Sequence, residues 1–185
     1  MQNLTTKGVA NRLGLTPGAV RHHVPSTDRL YSLACARVLG RLELRAEATS
    51  WQDYLRCLSG RLDELFGRHP GVEHYLVHGP YEQATLDQFQ VIIDELIARD
   101  PGLTPTTAHL LGSRVVTLTA WLSPRTGNHR YPPDAQPPPG LDREVFDWTL
   151  DALLVGAHTL LREGVYPRVT PTPEAEWARV HAQGT

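Results

Sequence analysis

The 185-residue chain is poor in several things at once: one methionine, three phenylalanines, two cysteines, and one lysine, Lys7, among 18 basic residues. Two cysteines are too few for a disulfide framework. Cys35 and Cys57 each fall inside a helical pattern, so both are expected to be reduced, in or near the core, and the protein to be cytoplasmic. No apolar run approaches the ~18 residues of a membrane span, and the first residues lack the apolar stretch of a signal peptide. There is no CxxC pair, no glycine-rich phosphate loop and no nucleophile elbow, and the carboxylates are scattered over polar helix faces. An enzyme is therefore not expected, nor a cofactor or a bound metal. No strand alternation stands out.

What is present is unevenly placed. Net charge is −2, but residues 1–45 carry seven basic residues against two acidic ones, a net of +5, and the remaining 140 residues carry a net of −7. A basic head on an acidic body fits a small polyanion-binding module joined to a larger domain, or solvated arginines clustered by chance. The boundaries expected are 1–45 for the head with the start of a connecting helix, and 46–185 for the body.

The pattern is helical nearly throughout, and the fold expected is all-α. "LTTKGVANRLG" offers capping threonines, then Val9, Ala10 and Leu13 at helical spacing and Gly14 as a stop. "LTPGAVRHHV" has Thr16 as N-cap, Pro17 at the first helical position, and Val20 and Val24 on one stripe. Two short helices around a glycine-containing turn make a helix-turn-helix. A long amphipathic helix follows through "PSTDRLYSLACARVLGRLELRAEA", capped by Ser26 or Thr27 and continuing to Leu42. Further helices are expected over 50–68, 72–78, 80–99, 104–123 and 141–163, the fourth of these apolar on nearly all sides. Residues 124–140 hold six prolines and are expected to form a long flexible loop; 165–185 is a proline-spaced tail.

The stretch "LTTKGVANRLGLTPGAVRHHVPSTDRLYSLA" resembles the DNA-binding head of the tetracycline-repressor (TetR) family of bacterial transcription regulators. The likeness runs through the threonine pair, Val9-Ala10, "LGLT" at the turn, and His23-Val24. "SWQDYLR" and "FDWTLDALLVGAHTLL" also resemble segments of that family's regulatory domain, in its tetracycline-repressor-like branch, so most of residues 3–164 is covered. The resemblance implies a homodimer that places two recognition helices in successive major grooves of a palindromic operator, and a small molecule that releases it. It also implies a four-helix dimer interface from 104–123 and 141–163.

On this reading Val20 and Val24 fasten the second helix to Val9, Leu13 and Leu30. Thr5, Thr6, Lys7, Pro17, Gly18, Ala19, Arg21, His22, His23 and Thr27 are the expected DNA-contact residues, with Arg21 pairing guanine or phosphate and the histidines donating to phosphates. Ordinary surface histidines are the plainer alternative. The family's pattern differs in having a helix of about a dozen residues before the threonine pair, a tyrosine where Arg21 stands and a lysine near Thr27. Starting at Met1, the sequence is expected to leave Val9, Leu13 and Val20 with part of their apolar cover missing.

The expected ligand-lining residues are Tyr54, Leu58, Leu62, Tyr75, His78 and Phe89, together with Leu110, Arg114, Trp121 and Trp148. By the resemblance, Leu58 stands at the asparagine and Tyr75 or Leu76 at the histidine that hold magnesium–tetracycline in the family's drug-binding members, so the effector is expected to be another compound. Arg114, inside "LLGSRVVTLTAWL", is expected to be buried, meeting either an acidic group on the ligand or, preferably, a carboxylate across the dimer bundle. His74 and His78 stand four apart on one face, a spacing that suits a metal, yet no third ligand is near and plain core or surface histidines are favoured. The alternative to a DNA-binding regulator is a dimeric small-molecule-binding or interaction protein with impaired DNA binding.

Overall fold

A computed structural model describes residues 4–125 and 139–165. The expected proline-rich loop falls largely, and the tail almost wholly, outside them. The described residues form eight α-helices and no strand: α1 (Thr6–Leu13), α2 (Pro17–His23), α3 (Thr27–Leu39), α4 (Trp51–Arg68), α5 (Val72–His78), α6 (Gln83–Arg99), α7 (Pro105–Leu122) and α8 (Leu141–Arg162).

The first three helices start where their hydroxyl caps dictate. Thr5, Thr16 and Ser26 each accept a hydrogen bond from the backbone N–H three residues on. Gly14 closes α1 in the left-handed region, at φ 67°, and its N–H turns back to the α1 carbonyls. The chain then re-enters a helix at Pro17, and α2 packs on α1 around the buried pair Ala10 and Val20. Neither belongs to the main core. Leu13 does not join them; it is 63% exposed, and Leu15 and Leu33 are exposed as well.

α3 belongs to the body by its packing. Cys35 and Leu39 sit in the main core, the Tyr31 hydroxyl donates to the Gly71 carbonyl, and Arg29 pairs with Glu82. α7 lies at the centre, against α4, α5, α6 and α8, which is why its sequence is apolar on most sides. At its closest approach to α6, Gly112 faces Ile92: a Cβ there would stand 3.2 Å from Ile92 Cγ2.

One expectation needs correction. The helix read as continuing to Leu42 and beyond stops at Leu39. Residues 43–48 are extended, and their exposure alternates: Leu44, Ala46 and Ala48 face the core while Glu43, Arg45 and Glu47 face out. In the sequence "RLELRAEA" the period of two was present, but it reads equally as one stripe of a helix. What decides is the body. The Arg61 guanidinium donates to the carbonyls of Glu43 and Arg45, and Arg99 donates to those of Ala46 and Ala48. Two arginines thus satisfy four carbonyls that a helix would have satisfied itself. Arg99 is largely buried, paired with Glu95 at 2.8 Å and seated 4.6 Å over the Tyr54 ring. Arg99→Met should leave the Ala46 and Ala48 carbonyls of this strap, residues 43–48, without their donor, and Glu95 with only the long pair to Arg45 at 4.0 Å. We expect a loss of about 2 kcal/mol, a Tm lower by roughly 4–8 °C in a thermal melt followed by circular dichroism. An unchanged melt would mean that the strap is held by apolar packing alone.

Cys35 is buried, and burial pushes its thiol up to about 11; Cys57, expected in or near the core, is exposed, and both are free. No helix among the described residues is long and apolar enough to cross a membrane.

Candidate functional site

Two regions gather chemistry. The first is the surface of α1 and α2. Thr5, Lys7, Gly18, Ala19, Arg21, His22, His23 and Thr27 are all exposed, while Thr6 and Pro17 are half-buried. Neither helix has an acidic residue in its first turn, and the last turn of α2 carries Arg21, His22 and His23, the two imidazoles meeting edge to face with centroids 5.3 Å apart. Val20 alone anchors α2 inward. This seven-residue helix thus buries one side chain and presents a guanidinium and two imidazoles, all able to donate hydrogen bonds, to the solvent.

The second region is a cavity of about 620 Å³ inside the body. The end of α3 and the strap supply Leu39, Leu42 and Leu44; α4 supplies Leu58 and Leu62; Leu76 and Tyr81 come from α5 and the turn after it. α6 contributes Thr85, Leu86, Gln88, Phe89 and Ile92, and α7 contributes His109, Ser113, Val116 and Thr117. Among the described residues no Asp, Glu, Lys or Arg lines it. The His109 ring meets Phe89 edge-on at 5.1 Å, and burial lowers its pKa from the usual histidine value, favouring the neutral imidazole at pH 7. Gln88 joins the cavity to α3 directly: its Nε2 donates to the Leu39 carbonyl at 3.0 Å.

Of the lining residues expected from sequence, Leu58, Leu62 and Phe89 are in place. Seven are elsewhere. Tyr54 lies on the far side of α4 beneath Arg99, where burial pushes its phenol up to about 12. Tyr75 stands one layer behind the wall, its hydroxyl between Thr85 Oγ1 and the Glu82 N–H. His78 is on the surface, against His74 at 4.4 Å and Trp121 at 6.5 Å. His74 and His78 are thus surface groups, and among the described residues no set of three metal-ligating side chains forms. Leu110 is half-buried and only lends its carbonyl to Ser113 Oγ. Arg114 is exposed rather than buried, and makes no ion pair within its own chain among the described residues. Trp121 and Trp148 are 53% and 73% exposed. The helical faces explain these misses. His109, Ser113, Val116 and Thr117 share one face of α7, whereas Leu110, Arg114 and Trp121 share another. Because each face mixes apolar with polar side chains, sequence alone did not say which one turned inward. The missed signal was polar: Gln88 interrupts the stripe Leu86, Phe89, Ile92, and Ser113 interrupts "HLLGSRVV".

No family model, curated protein or solved structure matches the chain.

Proposed function

We propose that this chain is a ligand-responsive DNA-binding regulator of transcription, of the tetracycline-repressor type. In this proposal α1 and α2 form a helix-turn-helix, α2 is the recognition helix, and a small molecule in the cavity releases the operator. The observation that carries it is continuity. α3 follows α2 after a turn of three residues, and its other end, Leu39, is cavity wall and hydrogen-bond partner of cavity residue Gln88. Whatever fills the cavity meets the helix that bears the head, so occupancy and head position are coupled through direct contact. The effector is a compound other than magnesium–tetracycline: of the residues read at the family's ligand positions, Leu58 and Leu76 present only hydrocarbon to the cavity and the Tyr75 hydroxyl is held by Thr85 and the Glu82 N–H.

The active form is a homodimer through α7 and α8. Val145, Trp148, Ala152, Val155 and Thr159 follow each other at alternating spacings of three and four along the exposed side of α8, a seam suited to a second copy of the same helix. Arg114 lies on the exposed part of α7, where a carboxylate of the second copy would pair with it.

Fluorescence anisotropy with the palindromes upstream of the protein's own gene tests the proposal. Binding through six or more phosphates should weaken at least about 10³-fold between ~50 and ~200 mM salt. Arg21→Ala should cost about 1–3 kcal/mol and relax sequence preference. The exposed Leu13, Leu15 and Leu33 favour the second function, a dimeric binder with impaired DNA binding. Absence of any salt-dependent DNA binding would decide for it.

A further inference from the structure

The cavity's hydrogen-bonding groups are largely occupied by the protein itself. Thr85 Oγ1 bonds the Tyr75 hydroxyl at 3.0 Å. The Tyr81 hydroxyl donates to the Leu76 carbonyl at 2.9 Å, Ser113 Oγ to the Leu110 carbonyl at 3.0 Å, and Gln88 Nε2 to the Leu39 carbonyl. Most of the remaining wall is leucine, isoleucine, valine and phenylalanine, from five successive elements of the body. An ion entering this space would leave water for a wall without counter-charge, and its desolvation would go uncompensated. A neutral apolar body loses nothing of the kind and gains from every wall.

We infer that the effector is an uncharged, mainly hydrocarbon molecule carrying at most a few hydrogen-bonding groups, held by Phe89 and the leucines of α3, α4 and the strap. Thr117 Oγ1 lines the cavity and can donate to a ligand carbonyl or accept from a hydroxyl, and the Gln88 amide oxygen can accept from a hydroxyl. This inference rests on the regulator proposal only for the word effector; the chemistry of the occupant follows from the cavity alone.

Three compact fluorescent probes of one shape separate the alternatives: pyrenylmethanol, pyrenecarboxylate and pyrenylmethylammonium, titrated into the full chain at pH 7. The alcohol should bind at least about 100-fold more tightly than either ion. Thr117→Glu, which adds a carboxylate to the wall, should reverse the order and favour the ammonium probe. Ser113→Phe, which narrows the cavity, should weaken binding of the alcohol while keeping the helical melt. Either ion binding within about tenfold of the alcohol would overturn the inference, as would no binding by any probe or an unaltered order in Thr117→Glu. Tight binding of the alcohol without release of operator DNA would uphold the ligand class and count against the regulator.

Discussion

Asp63→Ala should destabilise the body strongly. Asp63 sits on α4 with its side chain 2% exposed. It accepts from the Ser123 hydroxyl, from Arg125 Nε at 3.1 Å and from Arg143 Nη1 at 3.1 Å. One carboxylate therefore ties α4 to Ser123 and Arg125, just past α7, and to the first turn of α8. Gly67, one turn further along α4, leaves the space over which the Arg125 stem runs; a Cβ there would stand 2.9 Å from Arg125 Cδ. Removing the carboxylate takes away the acceptor of the Ser123 hydroxyl and the shared partner of two guanidinium groups, leaving Arg143 only its exposed pair with Asp147. Breaking a buried pair of this kind costs about 3–5 kcal/mol. The arginines are themselves about half exposed and can turn to water, which places the expected loss near ~3 kcal/mol. At roughly 2–4 °C per kcal/mol the Tm should fall by about 6–12 °C. Asp63→Asn should recover part of this through the Ser123 bond. Glu64→Ala, which removes only the exposed pair with Arg68, should change the melt by about 0.5 kcal/mol or less. Equal melts for Asp63→Ala and Glu64→Ala would show that the buried carboxylate is not the tie.

Trp148→Asp should turn the proposed dimer into monomers. Trp148 is 73% exposed within its own chain, and Val155 on the same seam is 61% exposed. Val145 on the same seam and Trp121 on α7 are exposed as well, more large apolar surface than an isolated chain normally shows the solvent. Tryptophans at the centre of interfaces typically account for about 2–4 kcal/mol each, and two-fold symmetry counts every substitution twice. The dissociation constant should therefore rise at least about 10³-fold. Because Trp148 contributes little to the core of its own subunit, the helical signal should be retained. Sedimentation velocity of wild type and variant reads this directly, and operator affinity should fall with the dimer. A monomeric wild type, or a variant that still sediments as a dimer, would remove the proposed interface.

Much of the helix layout could be read in advance, because caps and breakers are local. Thr5, Thr16 and Ser26 start their helices, Gly14 ends one, and α5, α7 and α8 fall within a residue or so of where their patterns put them. The end of α3 could not, because the partners that unwind "RLELRAEA" are Arg61 and Arg99, distant in sequence. Cavity residues were legible only where a helix has one apolar face. Leu58, Leu62 and Phe89 come from such helices. α7, apolar around most of its circumference, hid which of its faces met the cavity; Arg114 and Trp121, read as lining residues, stand outside the cavity wall.

The strap between α3 and α4 is gripped through its backbone, and the grip does not depend on which side chains stand at 43, 45 and 47. Those outward positions are open to recoding, provided that small or branched hydrocarbon alternates with them. A foreign segment joined ahead of Ser26 would keep α3, its packing on the body and the same arginine clasp.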